Sequence, residues 1–496
     1  CNQLDRLQGS LGIIMSSFRT TLAIVVLWGL PSAGQDHWPS FRNGGSSVTT
    51  ADGPPLRWSP ESGIAWQVDL PGYGQSSPVI WNKTAYLTSS DGPWQQRLLV
   101  HAIETTTGDL KWTRAIEATS KVENYFRNSR AAPTCVVDDH RVISFFASGD
   151  VTSLDHDGNL IWSTSLVQQF GAINNERGAA SSLAQDKAHV FVLVDHDGPS
   201  YIVALDKTDG RVAWKRDRGH RVPSWASPVV VGQNDPATLV VSSADSVAAY
   251  HAGTGDLLWE RDQFVGNHIA SATVSDQTVY TGSSQMFHQR NVDETEIAGS
   301  NCRIDLNGDQ HHIRWGADKA NAYYASPLAF ANYVYYVNKV GILYCVRAET
   351  GQQVFAKRIG NPCWASPIGI TTPAGDRYVY LFTKNGFTLV LRPGDDYDQL
   401  SRNQLWDTEA MRDAAAAAKQ TRYANSVPAD EAPPKSGPEA IFTAMPEAAL
   451  HSLFSYNDPT VYGVAFGCNC LFIRTGQQLF CVTGQSSTDE SQALGD

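Results

Sequence analysis

One phrase keeps returning along this chain. "HAGTGDLLWERD" (residues 251–262) is echoed by "ETTTGDLKWTRA" from Glu104, "LDHDGNLIWSTS" from Leu154, "LDKTDGRVAWKRD" from Leu205 and "RAETGQQVFAKRI" from Arg347. Each copy sets a glycine four residues ahead of a large aromatic: Gly108 and Trp112, Gly158 and Trp162, Gly210 and Trp214, Gly255 and Trp259, Gly351 and Phe355. Trp66, Trp315 and Trp406 extend the series to eight anchors, separated by 40 residues (Trp315 to Phe355) up to 56 (Trp259 to Trp315). That period suits a four-stranded propeller blade and is too long for ankyrin or tetratricopeptide helices. Between anchors, stretches such as "TLVVSSADSVAAYHAGTGDLLW" break into short β-rich segments divided by turn residues.

A second marker keeps step with the first. "QSSPV" (75–79), "RAAPT" (130–134), "AASSL" (179–183), "WASPV" (225–229), "IASAT" (269–273), "YASPL" (324–328), "WASPI" (364–368) and "YNDPT" (456–460) also number eight. Small residues fit an innermost strand, where blades converge and backbones approach closely. The chain is therefore expected to be all-β, an eight-bladed propeller of four-stranded blades over residues 60–483. The phase implies that the strand around "IAWQVDL" completes the last blade, so that the two chain ends pair and no edge stays open. The glycine should close the turn before the outer strand with φ > 0, and the aromatic should pack on the neighbouring blade. Trp66, Trp112, Trp162, Trp214, Trp259, Trp315, Phe355 and Trp406 thus read as structural docking residues.

Net charge of −12 and the lack of any basic run argue against nucleic acid or an anionic membrane as the main partner. Met15 opens a segment with Arg19, an apolar core from Leu22 to Leu30 and small residues at Ser32-Ala33-Gly34. That pattern reads as a signal peptide over 15–34, with export to a periplasmic or extracellular site as the only membrane contact. Residues 1–14 read as upstream sequence outside the mature protein. No cysteine follows the apolar core, so a lipid anchor is not indicated. Seven cysteines remain after residue 34, an odd number without CxxC spacing, which supports no zinc site and leaves any disulfide pairing open. Cys468 and Cys470 read as small buried residues sharing one face of a strand. An insertion at 407–455 combines "DAAAAAK" with Pro-rich "VPADEAPPKSGP", and 484–496 reads as a flexible tail.

The repeats resemble the pyrroloquinoline-quinone (PQQ) type β-propeller repeat, "ASP…VYVGS…LYALDAETGKVLW", across essentially the whole region 60–483. That superfamily holds quinoprotein dehydrogenases as well as non-catalytic BamB-like assembly proteins, so the fold alone does not imply activity. The resemblance implies, for a quinoprotein alcohol dehydrogenase, an adjacent Cys-Cys disulfide and a Glu, an Asn and an Asp around Ca²⁺. This chain has no adjacent cysteines, only Cys468-Asn-Cys470. Glu176, Asn267 and Asp458 match the metal ligands by loop phase only. The expected function is an exported, monomeric, non-catalytic scaffold that binds a protein partner or a small polar ligand through its channel-mouth loops, without cofactor or metal. The alternative is a PQQ- and Ca²⁺-dependent dehydrogenase with a divergent site.

The loops leading into the inner strands should converge on one mouth of the channel. They supply Arg127, Arg130, Glu176, Arg177, Trp225, Asn267, His268, Tyr324 and Trp364 as candidate ligand-binding residues, with Tyr73, Asn128, Tyr323 and Tyr456 nearby. Arginines, aromatics and amides together suit a planar acidic ligand, a sugar or a peptide. The competing reading has Trp225, Tyr324 and Trp364 plugging the channel. The two "DHDG" copies, Asp155–Gly158 and Asp195–Gly198, read as turns, and neighbouring His311 and His312 should face opposite ways on a strand.

Overall fold

In the computed structural model of the chain, the residues described are 36–92, 95–120, 128–175, 177–232, 237–266, 269–285, 293–307, 310–408 and 459–484. The signal-peptide segment, the upstream residues, nearly all of the 407–455 insertion and the tail beyond 484 lie outside them. Eight antiparallel sheets form an eight-bladed β-propeller. Blade 1 runs from the axis outward as Val79–Trp81, Thr84–Asp91, Arg97–Glu104 and Leu110–Glu117. In blades 2 to 7 the inner strands are Val136–Val137, Ala184–Gln185, Val229–Val231, Thr273–Ser275, Leu328–Phe330 and Ile368–Thr371. Their outer strands are Leu160–Ser165, Val212–Gly219, Leu257–Asp262, Gln310–Gly316, Gln353–Arg358 and Asp398–Gln404. Middle strands such as Arg97–Glu104 are covered on both faces and read as continuous apolar runs, whereas outer strands alternate, as in Ile64–Asp69.

Blade 8 closes as the phase implies. Its first three strands, Gly463–Gly467, Cys470–Arg474 and Gln478–Val482, come from the C-terminal end, and Ile64–Asp69 supplies the outer one. Trp66 pairs with Cys481 and Asp69 with Gln478.

The glycine–aromatic rhythm has two causes. Gly108, Gly158, Gly210, Gly255 and Gly351 all have φ between +72° and +82°, as the turn demands. Each also lies under the aromatic of the preceding blade: a Cβ on Gly255 would come within 2.4 Å of the Trp214 ring, and one on Gly210 within 2.5 Å of Trp162. The indole N–H then donates to a carbonyl of that same turn, Trp66 to Thr105, Trp112 to His156, Trp162 to Lys207, Trp214 to Ala252 and Trp315 to Ala348, at 2.8–3.0 Å. Trp259 faces the shorter turn of blade 5 and stacks on His311 instead, with centroids 4.1 Å apart.

Trp406 departs from the expected register. It lies beyond the end of its outer strand, against Gly386 and Phe480, and Ser401 occupies the position held elsewhere by the aromatic, opposite Val390 at the strand bulge. The physical reason is the neighbour. Blade 8 takes its outer strand from the other end of the chain, so no third-to-outer turn exists there to receive a ring. Residues 55–58 fill the gap: Ser401 and Asn403 donate to the Leu56 carbonyl and Tyr380 to that of Pro55.

The small-residue marker also has a cause beyond close approach. The backbone N–H of Ser77 donates to the Thr134 hydroxyl, Thr134 to Ser182, Ser182 to Ser227, Ser227 to Ser271, Ser271 to Ser326 and Ser326 to Ser366, at 2.8–3.1 Å. This hydroxyl chain laces blades 1 to 7 around the axis. In blade 8 the row Trp66–Cys481–Phe472–Ala465 puts Gly463 at the equivalent position, two residues before Ala465, not the "YNDPT" segment, and the chain of hydroxyls ends there for want of a side chain.

Ordered structure begins well before residue 60. Residues 37–50 form a finger inside the channel: His37–Trp38 pairs antiparallel with the inner strand of blade 1, and Val48–Thr50 pairs parallel with that of blade 7. His37 lies opposite Trp81, at the end of its strand, while Val48 lies opposite Gly369, near the start of its own. The finger therefore enters from the face bearing the inner-to-second turns, reverses within the channel and returns. Its tip, residues 42–47, takes positive φ at Arg42, Asn43, Gly44, Gly45 and Ser47. Trp38 is 1% exposed and Arg42 3%. Arg42 donates to Thr273 Oγ1 at 2.7 Å and to the Ala272 carbonyl on blade 5, and burial lowers its pKa to about 9.

Candidate functional site

Strand direction alternates within each blade, so the loops leading into the inner strands share one face of the ring with the second-to-third turns. On that face the lead-in loops are tied laterally. Gln75 and Ser76 donate their N–H groups to the Ala131 carbonyl, Asn128 Nδ2 to that of Arg177 at 2.6 Å, and Trp225 Nε1 to that of Gly178 at 3.1 Å. These bonds give the mouth a fixed rim from blade 1 to blade 4.

The other half of the rim is aromatic. Tyr323 and Tyr324 meet edge-on at 4.2 Å between centroids, Tyr324 lies 4.6 Å from Trp364, Trp364 lies 5.3 Å from Tyr462, and Tyr462 lies 6.3 Å from Tyr73. The Tyr73 and Tyr462 hydroxyls hydrogen-bond at 2.8 Å. One row of rings thus crosses the lead-in loops of blades 6, 7, 8 and 1. Tyr324, Trp364 and Tyr462 are half-buried and present part of their faces; Tyr323 and Tyr73 are buried behind them. Burial and the Tyr324 hydroxyl raise the Tyr323 phenol above its ordinary range, while the Arg177 charge acts in the opposite direction. Below the row, Arg474 is fully buried, donating to the carbonyls of Ser76 (2.8 Å) and Thr88 (2.6 Å).

The candidate residues divide accordingly. Trp225, Tyr324 and Trp364 stand at the mouth, and Arg177 is half-buried there. Arg130 does not line open space: it is 4% exposed, and burial lowers its pKa to about 10 against the favourable charge of Asp150. Arg127, Glu176, Asn267 and His268 lie outside the described residues, as do Asp458 and Tyr456. What occupies the channel is chiefly the finger, which the repeat pattern gave no means of finding. Tyr462 and Arg474 are likewise additions to the site. Tyr462 stands one residue before its register position, Gly463, whereas Trp225, Tyr324 and Trp364 stand two before theirs, so no period points to it.

Two other motifs resolve clearly. Asp155 caps its own turn, accepting from the N–H groups of Asp157 and Asn159. Asp195, in the same four letters, is instead a buried ion-pair partner: Arg218 Nε donates to it at 2.9 Å, Ser243 Oγ at 2.6 Å, and Arg218 also donates to Tyr250. This network clamps blade 3 to blade 4. Cys468 and Cys470 do not share a strand face; Cys468 sits in the turn with Asn469, both at positive φ, on the side of the ring away from the mouth. Among the described residues, no group of three or more His, Cys, Asp or Glu side chains is placed to hold a metal ion.

Comparison with known proteins follows the architecture. The family described as outer membrane protein assembly factor BamB matches residues 26–193 and 176–357. The outer membrane protein assembly factor BamB of Burkholderia pseudomallei (strain K96243) is 24% identical over 239 residues, 46% of this chain and 55% of that protein, so the alignment spans about half the length of that relative. The crystal structure of BamB from Moraxella catarrhalis superposes with a TM-score of 0.53 at 13% identity, covering 86% of this chain and 97% of that one, a likeness of fold. The quinohemoprotein alcohol dehydrogenase of Comamonas testosteroni is more distant, with a TM-score of 0.45 at 12% identity over 71% of this chain and 78% of its own. With more than half of its length matched, the chain belongs to the outer membrane protein assembly factor BamB family.

Proposed function

We propose that the protein is an exported, non-catalytic binding scaffold that holds a segment of a protein partner at the channel mouth. The aromatic row of Tyr324, Trp364 and Tyr462 carries this reading. Half-exposed rings on a fixed frame offer large contact area at little entropic cost, which is how Tyr and Trp come to dominate protein-binding hot spots. Arg177 adds a cation on the same mouth, which favours a segment carrying aromatic or aliphatic groups beside a carboxylate. Membership of a family of assembly factors supports a protein partner over a small polar ligand. The PQQ reading rests on Glu176, Asn267 and Asp458, which lie outside the described residues, whereas the rings and Arg177 that carry the scaffold reading lie within them.

The test is a titration with synthetic peptides from strands of outer-membrane β-barrel proteins, followed by tryptophan fluorescence. The expected result is saturable binding that weakens by about 30-fold in Trp364→Ala, the effect of losing one hot-spot ring. Saturable, Ca²⁺-dependent PQQ binding, accompanied by electron transfer from an alcohol to a dye, would overturn the scaffold reading.

A further inference from the structure

A cluster of thiols lies away from the mouth, in the blade that closes the ring. Cys470 begins the second strand of blade 8 and Cys481 lies in the third, one residue before its end. Phe472 is the direct partner of Cys481, so Cys470, two residues before Phe472, shares the face of Cys481 on the adjoining strand. Cys470 Sγ donates to the Cys468 carbonyl at 3.3 Å, and the two thiols lie near enough on their shared face for each to be the largest influence on the other's ionisation. That proximity holds the Cys470 thiol below its ordinary range and pushes Cys481 up, the asymmetry that makes one sulfur the better nucleophile. Cys470 is half-buried and Cys481 is 1% exposed. Cys468 stands in the preceding turn, with its sulfur 3.4 Å from the Asn82 carbonyl and 3.8 Å from Thr105 Oγ1. The other four cysteines, Cys135, Cys302, Cys345 and Cys363, are buried separately in blade cores.

We propose that Cys470 and Cys481 form a reversible disulfide that fastens the ring at its closing blade. The Cys470 thiolate attacks one sulfur of a low-molecular-weight disulfide and releases one thiol, leaving a mixed disulfide on Cys470. Cys481 then attacks the Cys470 sulfur, gives up its proton and releases the second thiol. Two protein thiols are oxidised and one external disulfide is reduced to two thiols, so electrons and protons balance. The position gives the bond its consequence. Cys481 is the register partner of Trp66 on the N-terminal closing strand, and the Trp66 N–H donates to Thr105, whose carbonyl also accepts from Cys481. Tying Cys481 to the second strand fixes the third strand, onto which the chain's other end is zipped.

The test uses the whole chain treated with oxidised glutathione, alkylated with iodoacetamide while native, then unfolded and mapped by mass spectrometry. A peptide pair linked through Cys470 and Cys481 is expected, with Cys468 alkylated in the native state and the four core cysteines reactive only after unfolding. The oxidised form should melt several degrees above the reduced one. Dithiothreitol should reverse that shift, and Cys470→Ser, a change at a half-buried position, should abolish it. Separate alkylated Cys470 and Cys481 after oxidation, a Cys468–Cys470 link, a persistent glutathione adduct on Cys470, or a linked form with unchanged melting would each overturn the proposal.

Discussion

Substituting Gly255 by alanine tests the double role assigned to the turn glycines. Its φ of +72° puts an alanine in the left-handed region, at a cost of about 1–2 kcal/mol. The new Cβ would also stand 2.4 Å from Cε3, 2.5 Å from Cδ2 and 3.0 Å from Cζ3 of Trp214. That ring cannot withdraw freely, because its N–H is bonded to the Ala252 carbonyl at 2.8 Å and the side chain is 8% exposed. Overpacking of this kind adds about 1–3 kcal/mol. The expected total is about 2–5 kcal/mol, read as a lower urea midpoint. Gly375→Ala is the matched control: φ is +92° and nothing lies within 4 Å of its Cβ, so only the backbone part, about 1–2 kcal/mol, applies. In a Trp214→Leu background the Gly255→Ala loss should shrink toward the same backbone value. Equal losses at the two glycines, or a Gly255→Ala cost unaffected by removal of the ring, would refute the idea that docking fixes the residue.

Two further outcomes follow from buried groups. His101 is fully buried between Ser89 and Thr113, and desolvation, aided by the Arg474 charge, lowers its pKa to about 3 from 6.5. The unfolded chain takes up a proton below pH 6.5 that the folded one refuses until about pH 3, so stability is retained above pH 6.5 and falls between those values. At pH 5 the loss should be about 2 kcal/mol in the wild type and absent in His101→Gln, measured as the pH dependence of urea midpoints. Trp38→Ala should cost about 3–5 kcal/mol despite lying outside every repeat, because its ring is buried inside the channel; a thermal shift no larger than that of a surface substitution would show that the finger does not hold the fold.

Periodicity made the ring legible, and it failed wherever a residue answers to a neighbour that the period does not contain. Trp66, Trp162 and Trp214 meet turns of one length closed by the same backbone bond, so one rule covers them. Trp406 and Ser401 obey the same packing logic, but their neighbour is the chain terminus, which carries no copy of the turn. The finger was invisible for a related reason: its strands are only two and three residues long, and its central residue is a buried arginine, a type expected at the surface. Asp155 and Asp195 show the limit of local motifs. The same four letters make an Asx turn between the third and outer strands of blade 2 and a desolvated ion pair between the second and third strands of blade 3, because at the second place the outer-strand Arg218 donates to the aspartate. At the mouth, sequence phase located Trp225, Tyr324 and Trp364, while Tyr462 required coordinates.

The ring is sealed twice, at different radii, and the second seal shapes the site. On the outside, Ile64–Asp69 gives blade 8 its last strand. At the axis, the hydroxyl chain stops between Ser366 and Ser77, where blade 8 offers Gly463. The finger covers this same stretch: one arm pairs with the inner strand of blade 1, the other with that of blade 7, and blade 8 lies between them. A segment that repairs the weak point of the inner ring must occupy the channel to do so. The channel is therefore filled from the turn side, and its open end is the side where Tyr324, Trp364 and Tyr462 stand. A partner reaching this protein along the axis meets those rings first and the finger's tip behind them. Closure of the fold and the one-sidedness of the proposed binding surface are consequences of the same short N-terminal finger.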